Sequence, residues 1–304
     1  MPWTPNDIPD LTGRTAIVTG GNGGLGLETV KQLADHGAHV VMAARNQDKA
    51  RTALMDLDAS MPGASVELRE LDLASLASVR TFAASVLDDV EAVDILVNNA
   101  GLMATPEGRT EDGFETQFGV NHLGHYELTA RLLPALMRSA GARVVTVTSF
   151  ARLSASDLDP DDINLEGGYD PWAAYGRSKR ANFHFAIGLQ DRFDAAGASA
   201  SSIAAHPGLS HTDLQARTVR MGDGISMAGF WHAAAKVADM DPANGARPQL
   251  RAATDPAARG GTLFGPLFTM AGPAVEKPIL RRPDPAEIAT LFQISESLTG
   301  STIP

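Results

Sequence analysis

Short apolar runs rich in β-branched residues alternate along the chain with longer amphipathic stretches. The short runs indicate strands and fall at 14–19, 38–43, 65–70, 93–97, 142–148, 198–205 and 262–265. The longer stretches carry apolar residues near helical spacing and fall at 25–36, 47–59, 76–88 and 111–138. Runs such as Ala16-Ile17-Val18 are continuously apolar, which is typical of parallel strands covered on both faces. The alternation predicts an α/β fold, a doubly wound parallel sheet of about seven strands with helices on both faces.

A single domain is predicted for residues 1–304, because no linker, repeat or low-complexity segment divides the chain. Between the sixth and seventh predicted strands, Gly, Met and Pro are scattered without a strand pattern. We expect this segment to form a small helical substrate lobe at about 209–260. A last helix is predicted at 284–298, with Gly300 as its C-cap.

Composition narrows the classes of function. The formal net charge of −11 argues against a nucleic-acid or polybasic membrane surface. The absence of cysteine excludes disulfides, cysteine-ligated metals and thiolate catalysis. The sequence shows no basic-apolar leader and no run near the roughly 18 apolar residues of a membrane span, so we expect a soluble, cytoplasmic protein. The histidines His122, His125, His206 and His211 are interpreted as packing or surface residues, and no metal site is predicted.

A glycine-rich turn follows the first predicted strand and opens the first predicted helix. In this context glycines let the backbone approach a pyrophosphate, and the helix N-terminus supplies N–H donors. Five glycines lie between 20 and 26, so three template spacings fit: Gly20/Gly24/Gly26, Gly20/Gly23/Gly26 and Gly21/Gly23/Gly26. The alternative to a dinucleotide site is a tight turn without a ligand.

The end of the second strand carries the information on cofactor choice. Residues 43–46 include no carboxylate that could hold the ribose diol of NAD, and Arg45 stands there instead. A guanidinium suits a 2'-phosphate through its charge and paired N–H donors. The sequence therefore favours NADP(H) over NAD(H), the alternative being a solvated arginine at a strand end.

Tyr175 and Lys179 are separated by four positions in a helical stretch, so they share one helix face. An ammonium beside a phenol favours the ionised form of the phenol and lowers its pKa. Such a pair can exchange protons with a substrate oxygen near neutral pH, although the same spacing also arises by chance on helix surfaces.

Several further motifs occur in the same order as in short-chain dehydrogenases/reductases, and the chain resembles that family over nearly its whole length. The matching motifs are the turn 19–26, Asp72-Leu73, Asn98-Asn99-Ala100-Gly101, Ser149, Tyr175 with Lys179, and Pro207-Gly208 before Thr212. The motif at 98–101 selects the Gly20/Gly24/Gly26 frame, which is typical of the compact subclass with its Rossmann-type domain.

This resemblance implies a role for each matching residue. Tyr175 would exchange a proton with the substrate oxygen, and Ser149 would hydrogen-bond the same oxygen. Lys179 would hold the nicotinamide ribose. Lys179 and the oxidised nicotinamide would together lower the pKa of Tyr175. Asn121 matches the residue that links Lys179 to a water relay; its alternative is a cap or kink. Ser149 could alternatively be a turn or cap residue. The predicted cofactor contacts are Gly20, Asn22, Gly24, Leu25, Gly26, Arg45, Asn46, Asp72, Leu73, Asn99, Ala100, Gly101, Tyr175, Lys179, Pro207, Gly208 and Thr212.

Within the family, residues 119–125 and the tail from 264 to 300 look most like retinol-dehydrogenase-type members and their soluble bacterial relatives. That likeness indicates a branch and leaves the substrate open. A group of apolar side chains is predicted around the mouth of the site, and it favours a bulky apolar alcohol, aldehyde or ketone as substrate. The alternative is that these side chains only pack the substrate lobe. They are Leu102, Met103, Phe150, Trp172, Leu209, Met221, Met227, Phe230 and Trp231. An insert at 157–170 with six acidic residues predicts a loop near the entrance, or a solvated excursion.

The sequence thus predicts an NADP(H)-dependent oxidoreductase that transfers a hydride between nicotinamide and an apolar alcohol, aldehyde or ketone. One alternative is a catalytically silent dinucleotide-binding or sensor protein on the same fold. An epimerase or dehydratase of the extended subclass is disfavoured by the missing acid after the second strand. By resemblance alone, a homodimer or homotetramer is expected through helices 111–138 and 172–196.

Overall fold

The computed structural model of the protein describes residues 2–208 and 241–304. Across this part of the chain, eight strands form one sheet: β1 Thr15–Thr19, β2 His39–Ala44, β3 Val66–Glu70, β4 Ile95–Asn98, β5 Arg143–Val147, β6 Ser201–Ala205, β7 Leu263–Pro266 and β8 Ala274–Lys277. Their order across the sheet is β3-β2-β1-β4-β5-β6-β7-β8. Neighbouring strands are parallel up to β7, and β8 is antiparallel to β7.

Helices cover both faces of this sheet. Those with described bounds are α1 Gly24–Asp35, α2 Gln47–Ser60, α3 Leu76–Asp89, the single turn α4 Thr116–Phe118, α5 Gly124–Arg138, α6 Pro171–Ala195, α7 Pro242–Thr254 and α8 Pro285–Thr299. The predicted doubly wound sheet is therefore confirmed. Of the described helices, none is both long and apolar enough to cross a membrane.

The strand order reverses between β1 and β4. From β1 the chain runs outward through β2 and β3, then returns to place β4 on the other side of β1. In open α/β sheets a ligand binds at this reversal, in the crevice beyond the carboxyl ends of the strands. The topology therefore directs attention to the residues that follow β1 and β4.

The sheet separates two apolar cores. On β1, Ile17 belongs to the core under α3, α5, α6 and α8, whereas Ala16 and Val18 belong to the core under α1, α2 and α7. All three side chains are fully buried. Because alternate residues face opposite sides, a strand covered on both faces must be apolar at every position, which explains the continuous runs in the sequence.

The edge strand β8 was missed by sequence analysis. Among the described residues, its four positions, Ala274–Lys277, pair with β7 alone, and Glu276 is exposed. A short edge strand with charged side chains carries little apolar signal. The last helix and its cap were predicted correctly: Gly300 adopts the left-handed conformation with φ of 72°.

The predicted helix at 111–138 needs correction. Residues 110–114 form a turn closed by hydrogen bonds to Thr110, and the helix begins only at Thr116. The Glu115 carboxylate caps this start by accepting from the N–H groups of Gln117 and Phe118, at 2.7 Å each. A π-helical turn at Gly119–Leu123 then precedes α5. Such turns are rare and often lie at functional sites, and this one carries Asn121.

The glycine turn after β1 depends on close backbone approach. Gly20 has φ of 66°, and its N–H donates to the Ala43 carbonyl at 2.8 Å. A Cβ at Gly26 would collide with the Gly20 carbonyl oxygen and lie 2.7 Å from Asn99 Nδ2. The first turn of α1 can therefore approach the end of β1 only because position 26 lacks a side chain.

We expect Gly26→Ala to destabilise the protein by about 1–3 kcal/mol, the usual cost of overpacking. Helix propensity alone predicts the opposite sign, since alanine is favoured over glycine by about 1 kcal/mol. Urea unfolding measures the difference. Gly167→Ala is the control, because a Cβ there meets only an ordinary contact at 3.5 Å. An unchanged or raised stability for Gly26→Ala would contradict the described turn.

Candidate active site

A cleft of about 400 Å³ opens at the carboxyl ends of β1, β2 and β4. Twelve of the predicted cofactor residues line it: Gly20, Asn22, Gly24, Leu25, Gly26, Arg45, Asn46, Asp72, Leu73, Asn99, Ala100 and Gly101. The structure thus brings together residues from four separate segments of the sequence. These segments meet because the carboxyl ends of the parallel strands lie at one edge of the sheet.

The N-terminus of α1 fits an anionic ligand. Its N-cap is Gly23, and no side chain caps it. By contrast, the side chains of Asn46, Ser75, Asp170, Asp241 and Asp284 cap α2, α3, α6, α7 and α8. The first N–H groups of a helix need acceptors, and a phosphate can provide them. The uncapped start of α1 and the glycines around it therefore fit the pyrophosphate of a dinucleotide.

The far end of the cleft is basic at its rim. Arg45 is about half exposed, and its Nη1 lies 3.8 Å from Asp72 Oδ1. Asn46 accepts from the Lys49 N–H at 2.9 Å and so begins α2. Lys49 also lines the cleft, although sequence analysis did not select it. Its position in the first turn of α2, three residues after Asn46, is the signal that could have found it.

The residues after β4 hydrogen-bond to the end of β1, where the two halves of the sheet meet. Asn99 Nδ2 donates to the Thr19 carbonyl at 2.7 Å, and Gln249 Nε2 donates to Asn99 Oδ1 at 3.2 Å. The N–H groups of Asn99 and Ala100 both donate to Thr19 Oγ1, at 2.9 Å each. The 98–101 motif thus holds the end of β1 in place, next to the glycine turn.

Tyr175 and Lys179 lie on α6, where the predicted helix is confirmed, and both are buried, at 8% and 4% exposure. Lys179 Nζ lies 6.0 Å from the centre of the Tyr175 ring and donates to the Val147 carbonyl at 3.2 Å. Val147 ends β5, so the pair is held against the same edge of the sheet as the cleft. The two side chains do share one helix face, as their spacing predicts.

Ser149 follows β5 and has two partners. Its side chain accepts from the Ala151 N–H at 3.3 Å, so it caps the short 3-10 turn at Phe150–Ser154. It also lies near the Tyr175 side chain, where its hydrogen-bonding effect lowers the pKa of that phenol. The cap interpretation and the catalytic interpretation of Ser149 are therefore compatible in one conformation.

Asn121 is fully buried and points into the loop after β4. Its Oδ1 accepts from the Leu102 N–H at 2.7 Å, and its Nδ2 donates to the Leu102 carbonyl at 2.9 Å and to Ser178 Oγ at 2.8 Å. A Cβ at Gly101 would lie 3.1 Å from Asn121 Oδ1 and 3.2 Å from Lys179 Nζ. Asn121 and Lys179 therefore both border Gly101, one of the residues that line the cleft.

His125 connects this cluster to the glycine turn, and sequence analysis assigned it no such position. Its Nδ1 lies 2.9 Å from the Asn121 carbonyl and its Nε2 lies 2.9 Å from Thr19 Oγ1. A carbonyl only accepts, so Nδ1 carries the proton and Nε2 accepts from the Thr19 hydroxyl. Burial lowers the pKa of His125 to about 4, which keeps the ring neutral.

The electrostatics of the pair differ from the sequence expectation. Burial raises the pKa of Tyr175, and the hydrogen bond with Ser149 opposes part of that rise. Burial also lowers the pKa of Lys179 to about 8. Burial thus raises the pKa of the phenol in the chain by itself, whereas the sequence led us to expect that Lys179 and an oxidised nicotinamide together would lower it.

The acidic insert at 157–170 lies against α6. Arg177 donates to the carbonyls of Asp162 and Ile163, and the Tyr169 hydroxyl donates to the Thr105 carbonyl at 2.9 Å. Asp170 ends the insert by capping α6. These contacts place the insert beside the loop after β4, where Leu102, Met103, Ala104 and Thr105 line the cleft.

Pro207 and Gly208 follow β6 at the same edge of the sheet. Gly208 has φ of 74°, and its N–H donates to His206 Nδ1 at 3.3 Å. Several predicted residues lie outside the described part of the chain: Thr212, most of the substrate lobe, and Leu209, Met221, Met227, Phe230 and Trp231 of the predicted mouth.

Comparisons with known proteins agree with this architecture. The chain matches the family described as short chain dehydrogenase over residues 14–222. Human retinol dehydrogenase 13 is 43% identical over 209 residues, which cover 68% of this chain and 62% of that protein. An uncharacterised oxidoreductase of Schizosaccharomyces pombe is 35% identical, covering 97% of this chain and 88% of its own length. An uncharacterised protein of Mycobacterium paratuberculosis has a crystal structure with a TM-score of 0.81, at 40% identity and full coverage of both chains.

The match to the retinol dehydrogenase is partial on both sides. It spans less than two thirds of the length of that protein. The fungal and mycobacterial matches cover 97% and 100% of this chain, and the descriptions of those proteins name no substrate.

The buried Lys179 should make stability depend on pH. Below about pH 8 the ammonium is charged in both states, and its burial costs free energy. Between about pH 8 and the ordinary lysine pKa of 10.5, the unfolded chain binds more protons, so stability rises with pH. We expect the free energy of unfolding of the wild type, relative to Lys179→Met, to rise by about 2 kcal/mol between pH 7 and pH 10.

Urea titrations without cofactor at both pH values measure this difference. Lys31→Met, which removes a lysine from the surface of α1, is the control and should track the wild type. A constant difference between the wild type and Lys179→Met would show that Lys179 is solvated.

Proposed function

Since the chain belongs to the short-chain dehydrogenase family of NAD(P)-dependent oxidoreductases, we propose that it transfers a hydride between NADP(H) and an apolar alcohol, aldehyde or ketone. The observation that carries this proposal is the meeting of Tyr175, Ser149 and Lys179 at the carboxyl edge of the sheet, beside the cleft. CH–OH oxidation and carbonyl reduction need a proton donor and acceptor next to a site for the hydride carrier, and this edge offers both.

The nicotinamide of a bound cofactor would supply or accept the hydride. The residues of the chain manage the proton and the charge. In the reducing direction the Tyr175 hydroxyl donates its proton to the substrate oxygen, and in the oxidising direction it takes that proton back. Ser149 Oγ, which lies near Tyr175, donates to the same substrate oxygen and stabilises its developing negative charge.

Lys179 has two tasks in this mechanism. Its pKa near 8 leaves it mostly protonated at neutral pH, so a positive charge stands close to the phenol when Tyr175 releases its proton. Its ammonium also donates to the Val147 carbonyl, which leaves other protons for a cofactor ribose. Asn121 holds the loop after β4 beside Lys179. A chain of water molecules at this place could return a proton to Tyr175 after each turnover.

The cleft explains how the chain would hold a dinucleotide. The uncapped N-terminus of α1 and the glycines at 20–26 take the pyrophosphate. Arg45 and Lys49 both line the cleft, and their positive charges suit the 2'-phosphate of NADP(H). Asp72 is 3.8 Å from Arg45 and keeps the guanidinium at the rim.

An apolar substrate is supported by the side chains next to Tyr175. Trp172 meets the Tyr175 ring edge-on, with ring centres 6.2 Å apart, and Phe150 is partly exposed directly after Ser149. Human retinol dehydrogenase 13 is named for retinol, an apolar alcohol, and this name supports an apolar class of substrate. A homo-oligomer and a cytoplasmic location stay predictions of the sequence.

Turnover with a substrate panel tests the proposal. Absorbance of NADPH and NADH is followed with apolar aldehydes and ketones, and the reverse reaction with apolar alcohols. We expect oxidation of NADPH by at least one bulky apolar carbonyl compound. If both cofactors bind and no compound is turned over, the protein is a dinucleotide-binding or sensor protein instead.

Tyr175→Phe removes the proton donor and keeps the ring. We expect kcat to fall by about 100- to 10,000-fold, the range for loss of general acid–base catalysis, while NADPH binding changes little. Tyr169→Phe is the matched control, because this phenol lies in the insert, where it bonds to Thr105 and Gln117, and should not affect the proton transfer. A near-normal rate for Tyr175→Phe would eliminate the assigned mechanism.

Arg45→Ala tests the choice of cofactor. We expect the Kd of NADPH to rise by about 10- to 100-fold, the value of one or two charge-assisted hydrogen bonds, with little change for NADH. Arg51→Ala, on the exposed face of α2, is the control and should leave both constants unchanged. Fluorescence titration measures both constants, and equal effects on the two cofactors would remove the basis for an NADP preference.

A further inference from the structure

The last carbonyl of β5 accepts hydrogen bonds from two side chains of α6. Asn182 Nδ2 donates to the Val147 carbonyl at 3.0 Å, and Lys179 Nζ donates to the same oxygen at 3.2 Å. Both side chains are buried, at 1% and 4% exposure. One backbone oxygen therefore joins the ammonium of the proposed active site to an amide that lies about one helical turn further along α6.

This carbonyl lies just beyond the end of the ladder between β4 and β5. The Thr148 N–H donates to a carbonyl of β6 at 2.8 Å. In a trans peptide the C=O points away from the N–H, so the Val147 carbonyl faces the side of β4. There β4 ends at Asn98, which pairs with Thr146. The Asn182 amide therefore takes the place that one more N–H of β4 would have taken.

The position of the Lys179 ammonium depends on the direction of this carbonyl. The backbone of Lys179 is held separately, because Thr148 Oγ1 donates to its carbonyl at 2.6 Å. The side chain is a long, flexible stem, so its acceptor decides where the charged end lies. A Cβ at Gly101 would lie 3.2 Å from Lys179 Nζ, which places the ammonium at the cleft. A change in the direction of the Val147 carbonyl would consequently move the charge.

The other end of the Asn182 amide lies near His122 in the π-helical turn. Within the described part of the chain, Asn182 Oδ1 and His122 Nδ1 are both buried and have no hydrogen-bond partner. Buried polar atoms without a partner are rare, because they lose their hydrogen bonds to water. An amide oxygen can only accept, so the two atoms satisfy each other when His122 Nδ1 carries the proton.

The contacts on the far side of the ring allow this tautomer. His122 Nε2 lies 2.8 Å from Ser295 Oγ, which also lies 2.7 Å from the Leu291 carbonyl. With the ring proton on Nδ1, the serine hydroxyl donates to Nε2. The Leu291 carbonyl then keeps its regular backbone partner within α8. Burial lowers the pKa of His122 to about 3, so the ring is neutral and carries a single proton.

We propose that Asn182 is a positioning residue that acts through Lys179. It holds the Val147 carbonyl, to which the ammonium is bound, and the Nδ1–H of His122 holds the amide in the required orientation. If the amide were turned around, Oδ1 would face the Val147 carbonyl and two acceptors would repel each other. An effect on catalysis through Tyr175 rests on the proposed function, whereas the arrangement of these side chains does not.

The first experiment locates the proton on His122. Long-range 1H–15N NMR of the full chain with 15N-labelled histidine distinguishes the two neutral tautomers, and the signal of His122 is assigned by its loss in His122→Gln. We expect the Nδ1–H form in the wild type. Asn182→Leu removes the acceptor and should shift the ring toward the Nε2–H form. An Nε2–H ring in the wild type would overturn the proposal, because nothing would then orient the amide.

Gln190→Leu is the matched control for Asn182→Leu. It also removes a buried amide from α6, where Gln190 accepts from the Ser202 N–H at 2.7 Å and donates to Asp194 at 2.7 Å. We expect it to leave the tautomer of His122 unchanged. A tautomer that responds equally to both variants would also overturn the proposal, because it would reflect a general loosening of α6.

The second experiment measures the pKa of Lys179 through stability. Asn182→Asp places a carboxylate close to the ammonium and should raise that pKa from about 8 toward 10.5. The folded and unfolded chains then bind nearly equal numbers of protons between pH 7 and pH 10. The rise in stability over this range, measured by urea unfolding against the same variant carrying Lys179→Met, should fall to less than about half of its wild-type value.

The other titratable side chains that face Lys179 do not change charge in this range. Burial raises the pKa of Tyr175 above its usual value of 10.0, and the pKa of His125 is about 4. Gln190→Glu is the control, because its charge lies about 16 Å further along the helix and should preserve the wild-type rise. A full rise in Asn182→Asp would overturn the proposal.

The third experiment measures turnover and rests on the proposed function. We expect Asn182→Leu to lower kcat by about 10- to 100-fold with little change in KM, because proton transfer loses a correctly placed charge. The pKa in the pH profile of kcat should rise by about one unit for the same reason. Gln190→Leu should leave this profile in place. A fall in stability with an unchanged profile would show that Asn182 only packs, and would overturn the proposal.

These experiments separate a failed inference from a failed function. If the wild type turns over no substrate, the tautomer of His122 and the pKa of Lys179 still decide whether Asn182 holds the ammonium. If Asn182→Leu fails to fold, Asn182→Asp replaces it in the kinetic measurements, where its carboxylate should move the pH profile and Gln190→Glu should not.

Discussion

The hydroxyl of Thr19 is the contact on which the site depends. At the end of β1 it accepts from the N–H groups of Asn99 and Ala100 and donates to His125, which in turn donates to the carbonyl of Asn121. One small side chain thus joins the glycine turn, the end of β4 and the π-helical turn. Parallel strands bring these segments to one edge of the sheet, and this hydrogen-bond chain fixes their relative positions.

Two features at this edge of the sheet have an unfavourable electrostatic free energy. Within residues 2–208 and 241–304, the first turn of α1 has no side-chain cap for its N–H groups, unlike the starts of α2 and α3. Lys179 is buried without a carboxylate partner among the groups that shift its pKa. Both features cost stability in the chain alone, and both are relieved by a ligand that brings negative charge or polar oxygen. Residues that lower the stability of the protein in this way often belong to functional sites.

The inner and outer layers of the fold are linked through α6. Its inner face presents Tyr175 and Lys179 to the sheet edge, and its outer face receives α8 through Gly188. Because His122 joins α8 to the turn that carries Asn121, the C-terminal helix supports the site from behind.

The sequence determined what depends on local pattern: the parallel strands from their continuous apolar runs, the glycine turn, the Tyr175 and Lys179 face of α6, and the cap at Gly300. Spacing alone could not reveal β8, whose four residues are too few and too polar to carry a periodic signal. It also could not reveal the role of His125 or the docking of α8, because each requires partners distant in sequence, such as Thr19 and Gly188. Even the pKa of Tyr175 was decided by tertiary structure, because burial depends on what surrounds a side chain and the neighbour four positions away is only one part of that environment.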